Sequence, residues 1–182
     1  MKFNNFKSTR LNLGSGDEYR NGWINLDIDR QWKTDLIADI EKGIPLKDES
    51  IELVFIKHVL EHIDPRKVTF ILNEIRRVCK KGALIKIYVP YFSCSITYKT
   101  LDHITAFSYY TFSTDERFEV IKKRIHYFRE SFGYKSKIVT TIAMILNPIL
   151  SFLPNTFPLI YERFFCWIFP MEELEIVLKV KK

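Results

Sequence analysis

The run IELVFI, Ile51–Ile56, is followed by an amphipathic segment and then by a second apolar run, ALIKIYVPYF, Ala83–Phe92. A strand buried on both faces reads as an unbroken apolar run. Two such runs joined by a helical segment become parallel neighbours in a covered sheet, because parallel strands need a crossover of that length. The joining segment, Asp64–Gly82, supports this. Asp64 is placed to cap a helix, Pro65 suits its first turn, and Val68, Ile71, Leu72, Ile75 and Val78 form one stripe. Lys80 and Lys81 before Gly82 predict that the helix ends there.

Other segments fit the same scheme. RLNLG (Arg10–Gly14), WINLDI (Trp23–Ile28) and DLIADI (Asp35–Ile40) read as short strands, and ELEIVLKVKK (Glu173–Lys182) alternates as a late or edge strand does. The segment between the first two is short for a crossover helix, and one helical turn is expected at DEYRNG, Asp17–Gly22. The expected fold is α/β, a mostly parallel sheet wound by right-handed crossovers. With 182 residues, 47% apolar, the chain is expected to form a single domain over residues 1–182. A net charge of +6 permits an anionic partner without requiring one. Cys79, Cys94 and Cys166 are odd in number and widely spaced, which predicts free thiols and no zinc framework. The start, MKFNNFKSTR, has no apolar core of a secretory signal, so the expected address is the cytoplasm.

One segment departs from the pattern. From Ile138 to Tyr161 no residue is charged, a length that raises the question of a membrane span. Pro148, Pro154 and Pro158 interrupt it and Asn147 and Asn155 lie within it, which argues against one spanning helix. Lys122, Lys123, Arg124, Arg129, Lys135 and Lys137 precede it, Arg163 follows, and aromatics continue to Phe169. Residues 138–170 therefore read as an apolar helical insertion. Two settings stay open: the surface of an anionic membrane, at its inner face, or burial against the domain or in a homodimer.

LNLGSG and GWINLDID place Gly14 and Gly16 at the end of the first strand and Asp27 at the end of the second. Ligands of parallel α/β sheets sit beyond those ends, where glycines admit a close approach and an acid takes a ribose hydroxyl pair. The nicotinamide fingerprint fails, because Tyr19 stands at the third glycine position and Asp27 comes too early. Simple turn and surface roles remain open for these residues, and for Asp39 a capping role.

LNLGSG, GWINLDI, LIADIEKGIPLKDESIELVFIKHVLEHI, taken together over residues 9–112, resemble the class I S-adenosylmethionine-dependent methyltransferases, in particular small members of the type 11-like group. The resemblance implies a Rossmann-like, doubly wound sheet with an antiparallel last strand, the insertion lying before it. It implies S-adenosylmethionine as cofactor. Gly14, Ser15 and Gly16 would pass under its methionine part. Asp27 would hold the ribose with Asp29 beside it, Asp39 and Ile40 would read the adenine, and His58 would line the methionine side. Asn12 departs from the Asp or Glu of many relatives.

A hydroxyl acceptor must lose a proton, and His is the usual base. His103 is the candidate, in a segment (Tyr91–Phe112) where relatives carry D-x-x-H and aromatics; here Asp102 stands directly beside the His. Tyr91, Tyr98, Tyr109 and Tyr110 are expected to wall the acceptor pocket, and His126 to lie on the surface. His58, Glu61 and His62 have metal-like spacing but lack the zinc-protease pattern, so no metal is expected. The expected activity is methyl transfer to a small-molecule, glycan or lipid-linked acceptor. The alternatives are a non-catalytic module of the same fold and a nucleic-acid methyltransferase. Nucleic acid is disfavoured, since no RNA-binding motif is visible.

Overall fold

The computed structural model describes residues 6–129 and 137–182. Lys135, counted above among the basic residues, lies outside that range. Seven strands form one sheet: β1 (Arg10–Leu13), β2 (Ile24–Asp27), β3 (Leu36–Ile37), β4 (Ile51–Lys57), β5 (Cys79–Pro90), β6 (Phe118–His126) and β7 (Glu173–Val180). Their order is β3-β2-β1-β4-β5-β7-β6. β1 to β5 pair in parallel, and β7, the last in sequence, is antiparallel to both neighbours. The fold is therefore the expected Rossmann-like α/β sheet. The strand order reverses beside β1, between β1 and β4, which opens the crevice where such sheets bind ligands.

Between the parallel strands, a full helix appears only between β4 and β5. This is α1 (Pro65–Val78), capped by Asp64, whose carboxylate accepts from Arg66 N. Ile71, Leu72, Ile75 and Val78 are its buried face, each contributing about 2 kcal/mol by leaving water. The helix ends earlier than Gly82. Cys79 already pairs with Ile51, and the register then slips, so that Lys80–Ala83 bulge out before Leu84 meets Leu53. Ladder bonds outweigh three more helical residues there. DEYRNG forms turns and no helical turn. β6 has no counterpart in the sequence reading, because FEVIKKRIH carries its charges too densely to look like a strand.

Residues 137–170 follow as α2 (Lys137–Leu150), α3 (Phe152–Thr156), α4 (Pro158–Ile160) and a π-helical turn at Tyr161–Phe165. Their polarity is inverted. Asn147, Ser151 and Asn155, four residues apart, share the side turned to the protein. Asn147 Oδ1 accepts from Tyr127 N at 2.9 Å, and Ser151 Oγ accepts from the same N–H at 3.0 Å. Asn155 bonds both backbone groups of Ile125, accepting at 2.8 Å and donating at 2.7 Å. The asparagines thus satisfy the end of edge strand β6. The apolar residues point the other way: Ile138, Met144, Ile145, Ile149, Phe152, Trp167 and Ile168 are each more than 60% exposed. Burial of this face against its own domain is thereby corrected. Among the described residues, no helix is long and apolar enough to cross a membrane.

Candidate cofactor site

The chain leaves β1 through a turn that only glycine fits. Gly14 N and Ser15 N donate to Leu26 O at 2.8 and 3.0 Å, locking the turn onto β2. Gly14 has φ +68°, and a Cβ there would lie 2.3 Å from Val59 Cγ2. Gly16, at φ +48°, faces open space. Its N–H donates to Asp27 Oδ2 at 2.8 Å, and Asp29 N donates to Asp27 Oδ1 at 2.9 Å. Two backbone donors therefore aim the Asp27 carboxylate and leave one lone pair on each oxygen.

A cavity of about 480 Å³ opens here. Gly14, Gly16, Asp27, Asp39, Ile40 and His58 all line it, together with Ile28, Val59 and His62. Asp39 both caps the turn at Ile40–Lys42, through Glu41 N at 3.0 Å, and lines the cavity. Its hydrogen bond to Lys42 holds its carboxyl below the usual range. Asp29 is not brought into the cavity. Its carboxylate turns back to Gln31, accepting from Gln31 N at 3.0 Å, and its share in the site is the N–H given to Asp27.

A smaller cavity of about 170 Å³ shares Gly14, Gly16 and His58 with the first and adds Asn12, Ser15, Asp17, Glu18 and Lys57. Asn12 is an anchor of the glycine turn: its amide donates to Glu18 O at 2.8 Å and to Asn25 Oδ1 at 3.0 Å. Glu18 contacts Lys57 Nζ, so this end holds both charge signs that an amino acid's ends require. Sequence reasoning missed Glu18 and Lys57. The signal was Lys57's place as the first charge after the apolar run of β4. Ser15 Oγ is buried without a hydrogen-bond partner.

His58 sits in the left-handed region at φ 53°, which aims its ring back between strands. Nδ1 lies 3.0 Å from Glu61 Oε1 and Nε2 lies 3.1 Å from Glu173 Oε1. Burial opposes charge on this ring, but the two carboxylates outweigh it and raise its pKa. Both nitrogens are committed, so His58 does not form the metal set that its spacing to Glu61 and His62 suggested.

Beyond β5 the chain behaves differently from expectation. Asp102 pairs with His62 Nδ1 at 3.1 Å and not with its neighbour His103. His103 packs edge-on against His62, ring centres 4.7 Å apart. His103 is not among the residues lining the large cavity. Tyr91 is core, fully buried with its hydroxyl donating to Glu162 Oε1 at 2.7 Å, because it packs against the π-helical turn that carries Tyr161 and Glu162. Tyr98 and Trp167 instead wall a third cavity of about 380 Å³, which Ser93–Ser95, Tyr127 and Met171 also line. His126 is not a surface residue. It is 1% exposed, with Nε2 3.3 Å from Glu175 Oε2, because β6 pairs its inward face with β7.

Comparison with known proteins agrees with this geometry. Residues 23–87 match the family model described as a methyltransferase domain. A crystal structure of a SAM-dependent methyltransferase from Archaeoglobus fulgidus is 19% identical, covering 95% of this chain and 86% of that one at a TM-score of 0.64. A SAM-dependent methyltransferase from Methanosarcina mazei is 13% identical, covering 94% and 91% at 0.56. The N-methyltransferase NodS from Bradyrhizobium japonicum is 9% identical, covering 96% and 86% at 0.56. No curated protein sequence matches the chain.

Proposed function

We propose that this chain is a SAM-dependent methyltransferase, a reading that its fold and its matched domain support, and that it methylates a small or glycan-like acceptor carried on a lipid at an anionic membrane surface. The inverted helices carry this reading. A helix that turns Asn147, Ser151 and Asn155 inward and its aliphatic residues outward is matched to apolar surroundings. Lys137 and Arg163, both exposed beside that face, suit anionic headgroups.

The residues fit S-adenosylmethionine. Gly16 leaves open space that a Cβ would take, Gly14 holds the turn against Val59, and Ser15 supplies a buried hydroxyl with no hydrogen-bond partner. Asp27 presents its open lone pairs to a ribose diol, and Asp39 and Ile40 bracket the adenine end. Glu18 and Lys57 hold the methionine ammonium and carboxylate, replacing the charge that Asn12 lacks. The cofactor supplies a methyl group on an electrophilic sulfonium. The chain's own work is positioning, which can account for most of the acceleration of such an in-line transfer. The third cavity, walled by Tyr98 and Trp167, takes the acceptor. Its proton goes to the cluster of Glu61, His62 and His103 and not to an Asp102-backed His103.

Flotation with vesicles tests the membrane part. The protein is expected to float with phosphatidylglycerol-containing vesicles and less with purely phosphatidylcholine ones, and Ile145→Glu with Ile149→Glu should abolish it. A stable dimer that leaves vesicles untouched would reassign the apolar face to a second copy of the chain.

A further inference from the structure

We infer that Glu61, His62 and His103 form a site for one divalent transition-metal ion, of the zinc or cobalt kind, on the wall of the cofactor cavity. One ligand atom from each lies within 4.8 Å of the others, the one such cluster found among the described residues.

The ligands are held in place by the backbone. Glu61 and His62 occupy the turn Leu60–His62 that follows β4. The Glu61 carbonyl accepts from Ile104 N at 2.8 Å and Thr105 N at 3.0 Å, and Thr105 Oγ1 donates to Ile63 O at 2.5 Å. Those three bonds fasten the loop carrying His103 onto the turn carrying the other two ligands.

Two atoms of the cluster point to a missing partner. Glu61 is 1% exposed, and its Oε2 is buried without a hydrogen bond. His103 Nδ1 is buried without one as well. A carboxylate oxygen left so costs more than a neutral group would, and a cation removes that cost. The outer contacts are those that metal-bound groups use. Asp102, 3.1 Å from His62 Nδ1, fixes that ring and leaves Nε2 for a ligand bond. His58 Nδ1, 3.0 Å from Glu61 Oε1, holds the second oxygen of the carboxylate.

Two imidazoles and one carboxylate select zinc, cobalt, iron or nickel over magnesium and calcium. Bonds of about 2.1 Å set ligand atoms at most about 4.2 Å apart, so the cluster closes slightly on loading. His62, the most exposed of the three, makes this adjustment together with Asp102, itself exposed. His62 also lines the cofactor cavity, so an ion held by it would sit at that cavity's wall. There the ion would take an acceptor oxygen and lower its pKa, the proton leaving to water. That use rests on the methyl-transfer reading; the binding of the ion does not.

The test uses untagged protein, stripped with chelator and loaded with Zn²⁺ or Co²⁺. Bound metal is counted by mass spectrometry and the visible spectrum of the cobalt form is recorded. One equivalent is expected, with no thiolate charge-transfer band. His103→Ala should fall to background while still binding S-adenosylhomocysteine. Glu61→Gln should behave likewise, and Asp102→Asn should weaken zinc by about 10- to 100-fold. Wild type that binds S-adenosylhomocysteine but retains no metal overturns the inference, as do His103→Ala and Glu61→Gln variants that keep their full equivalent. A thiolate band would move the ion to a cysteine. Metal retained without S-adenosylhomocysteine binding would leave this site standing and count against the cofactor reading.

Discussion

His58 and Glu173 stand 115 residues apart in sequence and meet at 3.1 Å, joining the turn after β4 to the first residue of the last strand. The pair ties the cofactor wall to the one antiparallel strand of the sheet. Glu173 is fully buried, so Glu173→Leu should lower stability by about 3–5 kcal/mol, the usual cost of breaking a buried ion pair from one side. Denaturant unfolding would read this, and a change below about 1 kcal/mol would show the pair to be incidental.

Asp27→Ala removes the carboxylate that two backbone N–H groups aim at the cavity. S-adenosylhomocysteine affinity should fall about 10- to 100-fold, equivalent to about 1.5–3 kcal/mol for hydrogen bonds to a charged group. Calorimetric titration measures it, with Asp29→Ala as the contrast. Asp29 turns away to Gln31, and its variant should bind nearly as wild type does. Equal losses would mean that the two acids share the ribose.

Gly14→Ala and Gly16→Ala should separate stability from binding. At Gly14 the new methyl meets Val59 at 2.3 Å in a left-handed backbone, costing about 1–2 kcal/mol for conformation and about 1–3 for overpacking. At Gly16 only the conformational part applies, and the methyl enters the cavity. Thermal melts should show the larger drop for Gly14→Ala, and titration the loss of cofactor by Gly16→Ala. The reverse ranking would sink the assignment of the turn.

Glu175 predicts the acid limit of the fold. Burial pushes its carboxyl upward, but His126, Lys122 and Lys86 outweigh that and hold it well below its ordinary 4.5. A depressed carboxylate stabilises above its unfolded pKa, and that contribution is lost as pH falls through the folded value. Stability should therefore decline with acidification below about pH 4.5, and Glu175→Gln should flatten the decline. A parallel pair of curves would refute the role.

Much of this was legible beforehand. The parallel sheet and the strand-end positions of Asp27 and Asp39 follow from apolar runs that end in turns, local patterns that tertiary structure does not override. The antiparallel direction of the last strand comes only with the family resemblance. Edge strand β6 was hidden because its outward face is cationic, and His126 was misread with it. Tyr91 looked like a pocket wall, yet the burial of its hydroxyl on Glu162 depends on a contact 71 residues away. The link between Asp102 and His62 escaped for the same reason. Adjacency in sequence suggested His103, whereas the loop's bonds to Glu61 turn Asp102 elsewhere.

Asn155 joins α3 to both backbone groups of Ile125, and Asn147 of α2 and Ser151, between α2 and α3, bond Tyr127 N. Three side chains on one line fix the rotation of the helices about their own axes. The plane of the outward apolar residues is thus set by the edge of the sheet. A bilayer meeting that plane would hold the molecule at one tilt, with the strand ends of β1, β2 and β4 at one height above the lipid. Reach, in such an arrangement, becomes a criterion of substrate choice: an acceptor group is methylated or passed over according to how far its stem lifts it from the surface.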